Sequence, residues 1–215
     1  MESTGGLRER KKLRTRQAIS EAAIALFLEH GYDQVSVADI AAAAEVSKRT
    51  LFAYFPTKDD LVLHRIADHE IEAARVVRGR GDGEAPLDAL HRHLRARLAE
   101  RDPITGLCDH PQVVAFYRLV TGTPALQSAA ARYVASGEEA LAAALRETTP
   151  GDGRFAEVTA ALAAGQILLV QRALAAANQA CIARGMSADE REPDALAEAD
   201  HAFGLLSGGL APYRR

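Results

Sequence analysis

Three helix starts follow one another early in this chain, and they constrain its fold more than any other feature. Ser36-Val37-Ala38-Asp39 is a capping box, in which a serine and an acid three residues on satisfy each other's free backbone amides. Ser47 can cap a second helix, and Thr57-Lys58-Asp59-Asp60 is another capping box. Pro56 ends the middle segment, because the residue before a proline resists the α conformation. The helix opened by Ser36 turns Val37, Ile40, Ala41 and Ala44 inward. The next one is held to a core by Val46, Leu51 and Phe55. Two short helices joined by a tight break at Glu45-Val46 are therefore expected at about 36–55.

A longer helix from Leu7 to Glu29 precedes them, with Ile19, Ala22, Ala23, Leu26 and Phe27 on one apolar face and Gly31 as its stop. Beyond them, a helix of about twenty residues is expected from 57 to near Gly79, then helices at roughly 86–101, 110–121, 124–147, 155–184 and 194–207. The segment 148–153, TTPGDG, reads as a turn. The chain holds 44 alanines in 215 residues, and alanine is the best helix former and a poor strand former. No run of alternating β-branched residues bounded by turns occurs. The expected fold is all-α, with about nine helices. The glycines of GRGDGEAP at 79–86 follow no strand, which argues against a phosphate cradle.

Charge is placed unevenly. The chain carries a net −3, yet residues 1–58 hold nine Lys and Arg against seven Asp and Glu, while the remainder holds 17 against 22. The sharpest patch is LRERKKLRTR at 7–16. A local basic patch on an acidic body suits an anionic partner met at one end. Lys48 and Arg49 stand in the first turn of the helix capped by Ser47, where the helix dipole already supplies roughly half a positive charge. Either these are two ordinary solvated cations, or a polyanion lies in front of that turn. Helix, tight turn and helix with a polar tip form a helix-turn-helix, whose second helix enters a DNA major groove. There, cations gain more from phosphates and guanine edges than they lose to the dipole.

On these residues the chain resembles the tetracycline-repressor (TetR) family of transcriptional regulators. The resemblance runs from Thr15-Arg16 through AAIALFLEHGYDQVSVADIAAAAEVSKRTLFAYFPTKDDL to Leu61. The later RLVTGTPALQSAAARYVASGEEALAAALRE is similar, more weakly, to the regulatory domain of some actinobacterial members. The resemblance implies a homodimeric repressor with a helix-turn-helix domain at 1–56, including a leader at 1–14, and a ligand-binding and dimerisation domain at 57–215. Ser36, Val37 and Ala38 would lie beside the phosphate backbone, Ser47, Lys48, Arg49 and Thr50 would face the groove, and Phe52, Tyr54 and Lys58 would sit over the backbone. Arg14, within the basic leader, would belong to an arm gripping phosphates or the minor groove; the alternative is a solvated leader. Three residues depart from the family pattern. Glu45 stands where a glycine with positive φ is usual, Phe52 replaces a common tyrosine, and Ala53 replaces a frequent polar residue.

The resemblance also implies a cavity for a small-molecule effector among the middle helices. Cys108, His110, Phe116, Tyr117, Gln166 and Gln171 are polar or aromatic groups in apolar surroundings and are the candidates for it. The nearly uncharged helix at 155–184 should pack inside its domain and against a second copy. Leu162, Leu169, Leu174, Phe203 and Leu206 are the candidates for that seam. His91 and His93 point apart on a helix, as do His64 and His69, so solvated histidines are expected in place of a metal site. Cys108 and Cys181 fit no metal spacing and should be reduced thiols. No nucleophile-base set, zinc signature or nucleotide loop stands in a supporting context, so neither catalytic residues nor a cofactor are expected. The N-terminal residues lack the apolar stretch of a signal peptide, and VTAALAAGQILLVQ is too short to span a bilayer, so a cytoplasmic protein without membrane contact is expected. A constitutive dimeric DNA-binding regulator without inducer, or a small helical enzyme, is the alternative.

Overall fold

Ser36 and Ser47 each open a helix where the sequence places one, and the Thr57–Asp60 bonds close the turn just ahead of a third. In the structure, a computed structural model that describes residues 4–67, 69, 71–148 and 153–209, α1 spans Thr4–His30, α2 Val37–Ala43, α3 Lys48–Tyr54 and α4 Asp60–Ala67. Then come α5 (Glu72–Arg78), α6 (Pro86–Ala99), α7 (Pro111–Gly122), α8 (Pro124–Thr148), α9 (Ala156–Ala183) and α10 (Ala188–Gly209). Two 3-10 turns, Pro103–Thr105 and Gly153–Phe155, complete the described residues, among which there is no strand. Most of the turn expected at 148–153 lies outside the described residues.

The chain divides into two compact units. One runs up to Arg65 and includes Ala115–Ala130; the other comprises Ile66–Val114 and the chain from Ala131 onward. In the first, α1 packs on α2 and α2 on α3. Ile19, Phe27, Ile40, Leu51 and Phe55 are buried in it, and the buried Ser20 hydroxyl donates to the Leu61 carbonyl at 2.9 Å. In the second, the core gathers Val77, Leu87, Leu90, Leu141, Phe203 and Leu206 around the small face of α9, where Ala160, Ala163, Ala164 and Ile167 repeat at helical spacing. Alanines there let neighbouring helices approach closely.

Four expectations need correction. The basic segment 7–16 lies within α1, which starts at Thr4, so its described backbone is helix and not a free arm. The single helix expected over 57–79 is two. His69 and Glu72 donate their amides three residues back, to Ile66 and His69 at 3.0 and 3.1 Å, which is tighter than α geometry and interrupts the run. The last helix begins at Ala188, ahead of Pro193. Ser187 and Glu190 form a capping box that starts it (2.9 and 3.3 Å). Pro193 then falls early in the helix, where the amide it lacks would have reached the carbonyl of exposed Asp189. The helices therefore number ten among the described residues, not nine. Helix α9, taken with the preceding 3-10 turn, is also long and apolar enough, by length and composition alone, to cross a membrane. The short uncharged stretch read from the sequence understates it.

Candidate nucleic-acid interface and ligand cavity

The α2–α3 segment is built almost entirely from local bonds. The Ser36 hydroxyl accepts from the Asp39 amide at 3.2 Å, and the Asp39 carboxylate accepts from the Ser36 amide at 2.9 Å. The Ser36 hydroxyl and amide hold that carboxyl below its usual range. At the far end of α2, Val46 donates to Ala41 (2.9 Å) and Glu45 to Ala42 (3.1 Å), the paired bonds of a Schellman stop. That stop needs a left-handed residue, and Glu45 supplies it with φ +55. A side chain there costs about 1 kcal/mol relative to glycine. Ser47 then caps α3, its hydroxyl accepting from the Thr50 amide (3.0 Å) and hydrogen-bonded to the Thr50 hydroxyl (2.8 Å).

These bonds point the tip of α3 outward. Lys48 and Arg49 are exposed, and neither forms an ion pair among the described residues. Leu51 and Phe55 are buried beneath them, Tyr54 is half-buried, and Phe52 is exposed. Ser36 is exposed at the head of α2, with Val37 and Ala38 half-buried beside it. Arg14 is exposed on α1. Lys58 is more constrained. Its ammonium donates to the Tyr32 carbonyl at 2.5 Å and lies 4.3 Å and 5.3 Å from the centres of the Tyr32 and Phe27 rings. The Tyr32 hydroxyl bonds Asp59; burial, then Asp59, push that phenol up.

The second unit contains a cavity of about 210 Å³ with a mostly apolar lining. Two of its lining elements meet at one glycine. Gly106 ends the 3-10 turn with φ +72, and a Cβ there would lie 2.2 Å from the Ala175 carbonyl, so only glycine lets the turn reach α9. Beside it, buried Asn178 donates to the Thr105 carbonyl (3.0 Å) and accepts from Arg191 (2.9 Å), which also bonds Glu198. On the opposite wall, one carboxylate gathers three donors. Glu72 accepts from His69 at 2.6 Å, His93 at 3.0 Å and Arg97 at 2.6 Å. The His69 bond, followed by that of His93, drives the Glu72 carboxyl far below its ordinary range, and Glu72 in turn raises His69. These two histidines, expected to be solvated, are instead half-buried partners of an acid. His91 likewise bonds Asp200 (2.8 Å) and stacks on Phe203. Among the described residues no group of His, Cys, Asp and Glu could hold a metal.

Of the effector candidates, Gln171 lines this cavity; Cys108, His110, Phe116, Tyr117 and Gln166 do not. Gln166 and His110 are exposed, Cys108 is half-buried, and Phe116 and Tyr117 meet edge to face in the first unit. The effector candidates read from the sequence leave out Glu72, His93, Arg97 and Arg172. A signal existed: His93 and Arg97 share the α6 face of Leu90 and Leu94, and polar groups on an apolar face need partners. Of the seam candidates, Leu162 and Leu169 are 60% and 58% exposed. Phe203 and Leu206 are buried in the core of their own unit, and Leu174 faces the cavity. Exposed apolar area continues at Val158 on α9 and Leu205 on α10.

A family profile described as "Bacterial regulatory proteins, tetR family" matches residues 19–64. The chain is 35% identical over 157 residues to the HTH-type transcriptional regulator TcmR of Streptomyces glaucescens, covering 73% of this chain and 63% of the relative. It is 30% identical over 128 residues to the regulator RutR of Escherichia coli K12, covering 57% and 56%. These matches span less than two thirds of the relatives' lengths. Among solved structures, a TetR-family regulator (SCO0857) of Streptomyces coelicolor aligns with TM-score 0.55 at 23% identity, over 91% of this chain and 96% of that one. The SmeT–triclosan complex aligns with TM-score 0.55 at 16% identity, over 91% of each. At these identities the likeness is one of fold.

Proposed function

Because the chain belongs to the tetR family of bacterial regulatory proteins, we propose that it is a ligand-responsive, sequence-specific regulator of transcription. It represses by binding a duplex operator as a cytoplasmic homodimer, and a small molecule releases it. The family is one of transcriptional regulators, not of enzymes. The observation that carries this reading is the tip of α3, where a capped helix start presents exposed Lys48 and Arg49, neither in an ion pair among the described residues, over a buried Leu51 and Phe55. A helix start with two added cations attracts phosphates and guanine edges.

In this reading residues 1–56 form the DNA-binding domain and 57–215 the regulatory and dimerisation domain. Lys48 and Arg49 enter the major groove, with Ser47 and Thr50 as a hydroxyl pair at its edge. Ser36, Val37 and Ala38 bring the start of α2 to the backbone. Phe52 and Tyr54 pack against sugar and phosphate, Lys58 offers the ammonium donors that Tyr32 does not use, and Arg14 adds a contact from α1. The dimer seam is built on Leu162 and Leu169, continued by Val158 and Leu205, because these side chains are apolar and exposed. A twofold assembly places the two tips about 34–36 Å apart, or a multiple of that, to meet successive major grooves. The effector occupies the cavity in the second unit and acts by binding one spacing of the tips better than the other. A constitutive regulator would not need such a cavity, and this favours the induced reading. The test is a gel shift of the purified chain on duplex from its own upstream region. Saturable binding that weakens steeply with salt is expected; no attachment to any such duplex would end the reading.

A further inference from the structure

The cavity is lopsided in charge. Three side chains of fixed charge line it, Glu72, Arg97 and Arg172, leaving one net positive. Glu72 is already saturated by His69, His93 and Arg97. Arg97 is held as well, by Glu72 and by Asp102 at 3.0 Å. Arg172 is not. Two of its nitrogens lie 3.4 Å from a single Glu138 oxygen, at the long limit of a hydrogen bond, and both side chains are partly exposed. Its neighbour Gln171 also lines the cavity, and its side-chain amide has no hydrogen-bond partner among the described residues. A loosely held guanidinium next to an uncommitted amide is a receptor for an oxygen anion, offering a forked pair of donors and a third beside it. The opposite charge is disfavoured there, because an ammonium would meet two arginines, and the carboxylates beside them, Glu72 and Glu138, are already paired with them. Most of the remaining lining, including Leu90, Leu94, Val134 and Leu168, is apolar, with the polar groups of Thr105, Tyr133 and Asn178 among it. At about 210 Å³ the space falls below the roughly 300–1,000 Å³ of pockets for drug-sized ligands, so the occupant is small.

Resting on the reading of this unit as the ligand-responsive one, we propose that the cavity takes a small monoanionic organic acid. Its carboxylate pairs with Arg172 and Gln171, and its apolar body lies among the leucines.

Calorimetric titration of the full chain with 4-phenylbutyrate, 4-phenylbutanol and 4-phenylbutylamine tests this, because the three probes share a body and differ in head charge. The acid should bind at least about tenfold tighter than the alcohol, and the amine not at all. Arg172→Gln should erase the acid's advantage and leave the alcohol's affinity within about twofold, with an unchanged melting temperature showing that the variant is folded. Gln171→Leu should reduce that advantage in part. Amine or alcohol binding as tight as acid binding overturns the proposal, as does an acid preference that survives Arg172→Gln, or a folded chain that binds none of the three. Operator release, followed by fluorescence anisotropy in the same solutions, is a separate readout. Acid binding without release leaves the acid site standing and counts against induction; release by the amine alone supports induction and refutes the acid site.

Discussion

In the first unit, the proposed DNA-reading head, Ser36 bonds Asp39, Ser47 bonds Thr50 and Thr57 bonds Asp60, each partner three residues along the chain. In the unit that holds the cavity, Glu72 reaches 25 residues ahead to Arg97, and Asn178 bonds Thr105 across 73. The first pattern satisfies helix starts with partners a few residues away in the chain. Their outward side chains are then free for a partner. The second pattern satisfies buried polar groups only after the helices have packed, so the shape of the cavity and the bonds around it form together. A contact surface can thus be written locally, while a cavity must be written across the whole fold.

The comparison can be broken most severely at the seam. Leu162→Glu with Leu169→Glu should leave both units folded but yield monomers, lowering operator affinity by about 10²–10⁴-fold through loss of the second reading head. Sedimentation and anisotropy on one sample check it, and a dimer of normal mass would refute the seam. Next in size is Glu72→Ala. Three donors lose their acceptor, and a destabilisation of about 2–3 kcal/mol is expected from chemical denaturation. This loss depends on pH in a defined direction. Glu72 is depressed below its ordinary 4.5, so its contribution is present above that value and fades as pH falls. His69 is raised above its ordinary 6.5, so its contribution is full below that value and fades as pH climbs through the raised one. The gap between wild type and variant should therefore be widest between about 4.5 and 6.5. A gap that does not vary with pH would mean the cluster's charges are not coupled to folding. The smallest effect belongs to the head. Glu45→Gly relieves a left-handed residue and should raise stability by about 1 kcal/mol without altering the cavity unit. A loss of stability would mean that the Glu45 side chain makes a contact worth more than its strain.

Much of the head was legible from the sequence because its signals are local. Capping boxes and Pro56 set the bounds of α2 and α3, and apolar spacing named Ile40, Leu51 and Phe55 as core. The left-handed place of Glu45 followed from the family pattern alone, and the structure has it there. The second unit resisted for physical reasons. The break between α4 and α5 carries no proline or glycine, and Glu72 just beyond it bonds residues of α6, which no local rule foresees. Phe203 looks like a seam residue in a helical pattern, yet it lies inside, stacked on His91. Gln171 could be picked out as a polar group in an apolar helix, but its neighbour Arg172 gains a role only because α6, α8 and α9 line one space.

The central claim is that the tip of α3 exists to meet nucleic acid, and the double variant Lys48→Ala, Arg49→Ala tests it most directly. Operator affinity of wild type and variant would be measured by anisotropy across a range of salt concentrations. Each lost side chain should cost about 1–3 kcal/mol if it reads a base, or flatten the logarithmic salt slope by about one if it holds a phosphate. A folded, dimeric variant with unchanged affinity and an unchanged slope would contradict the account.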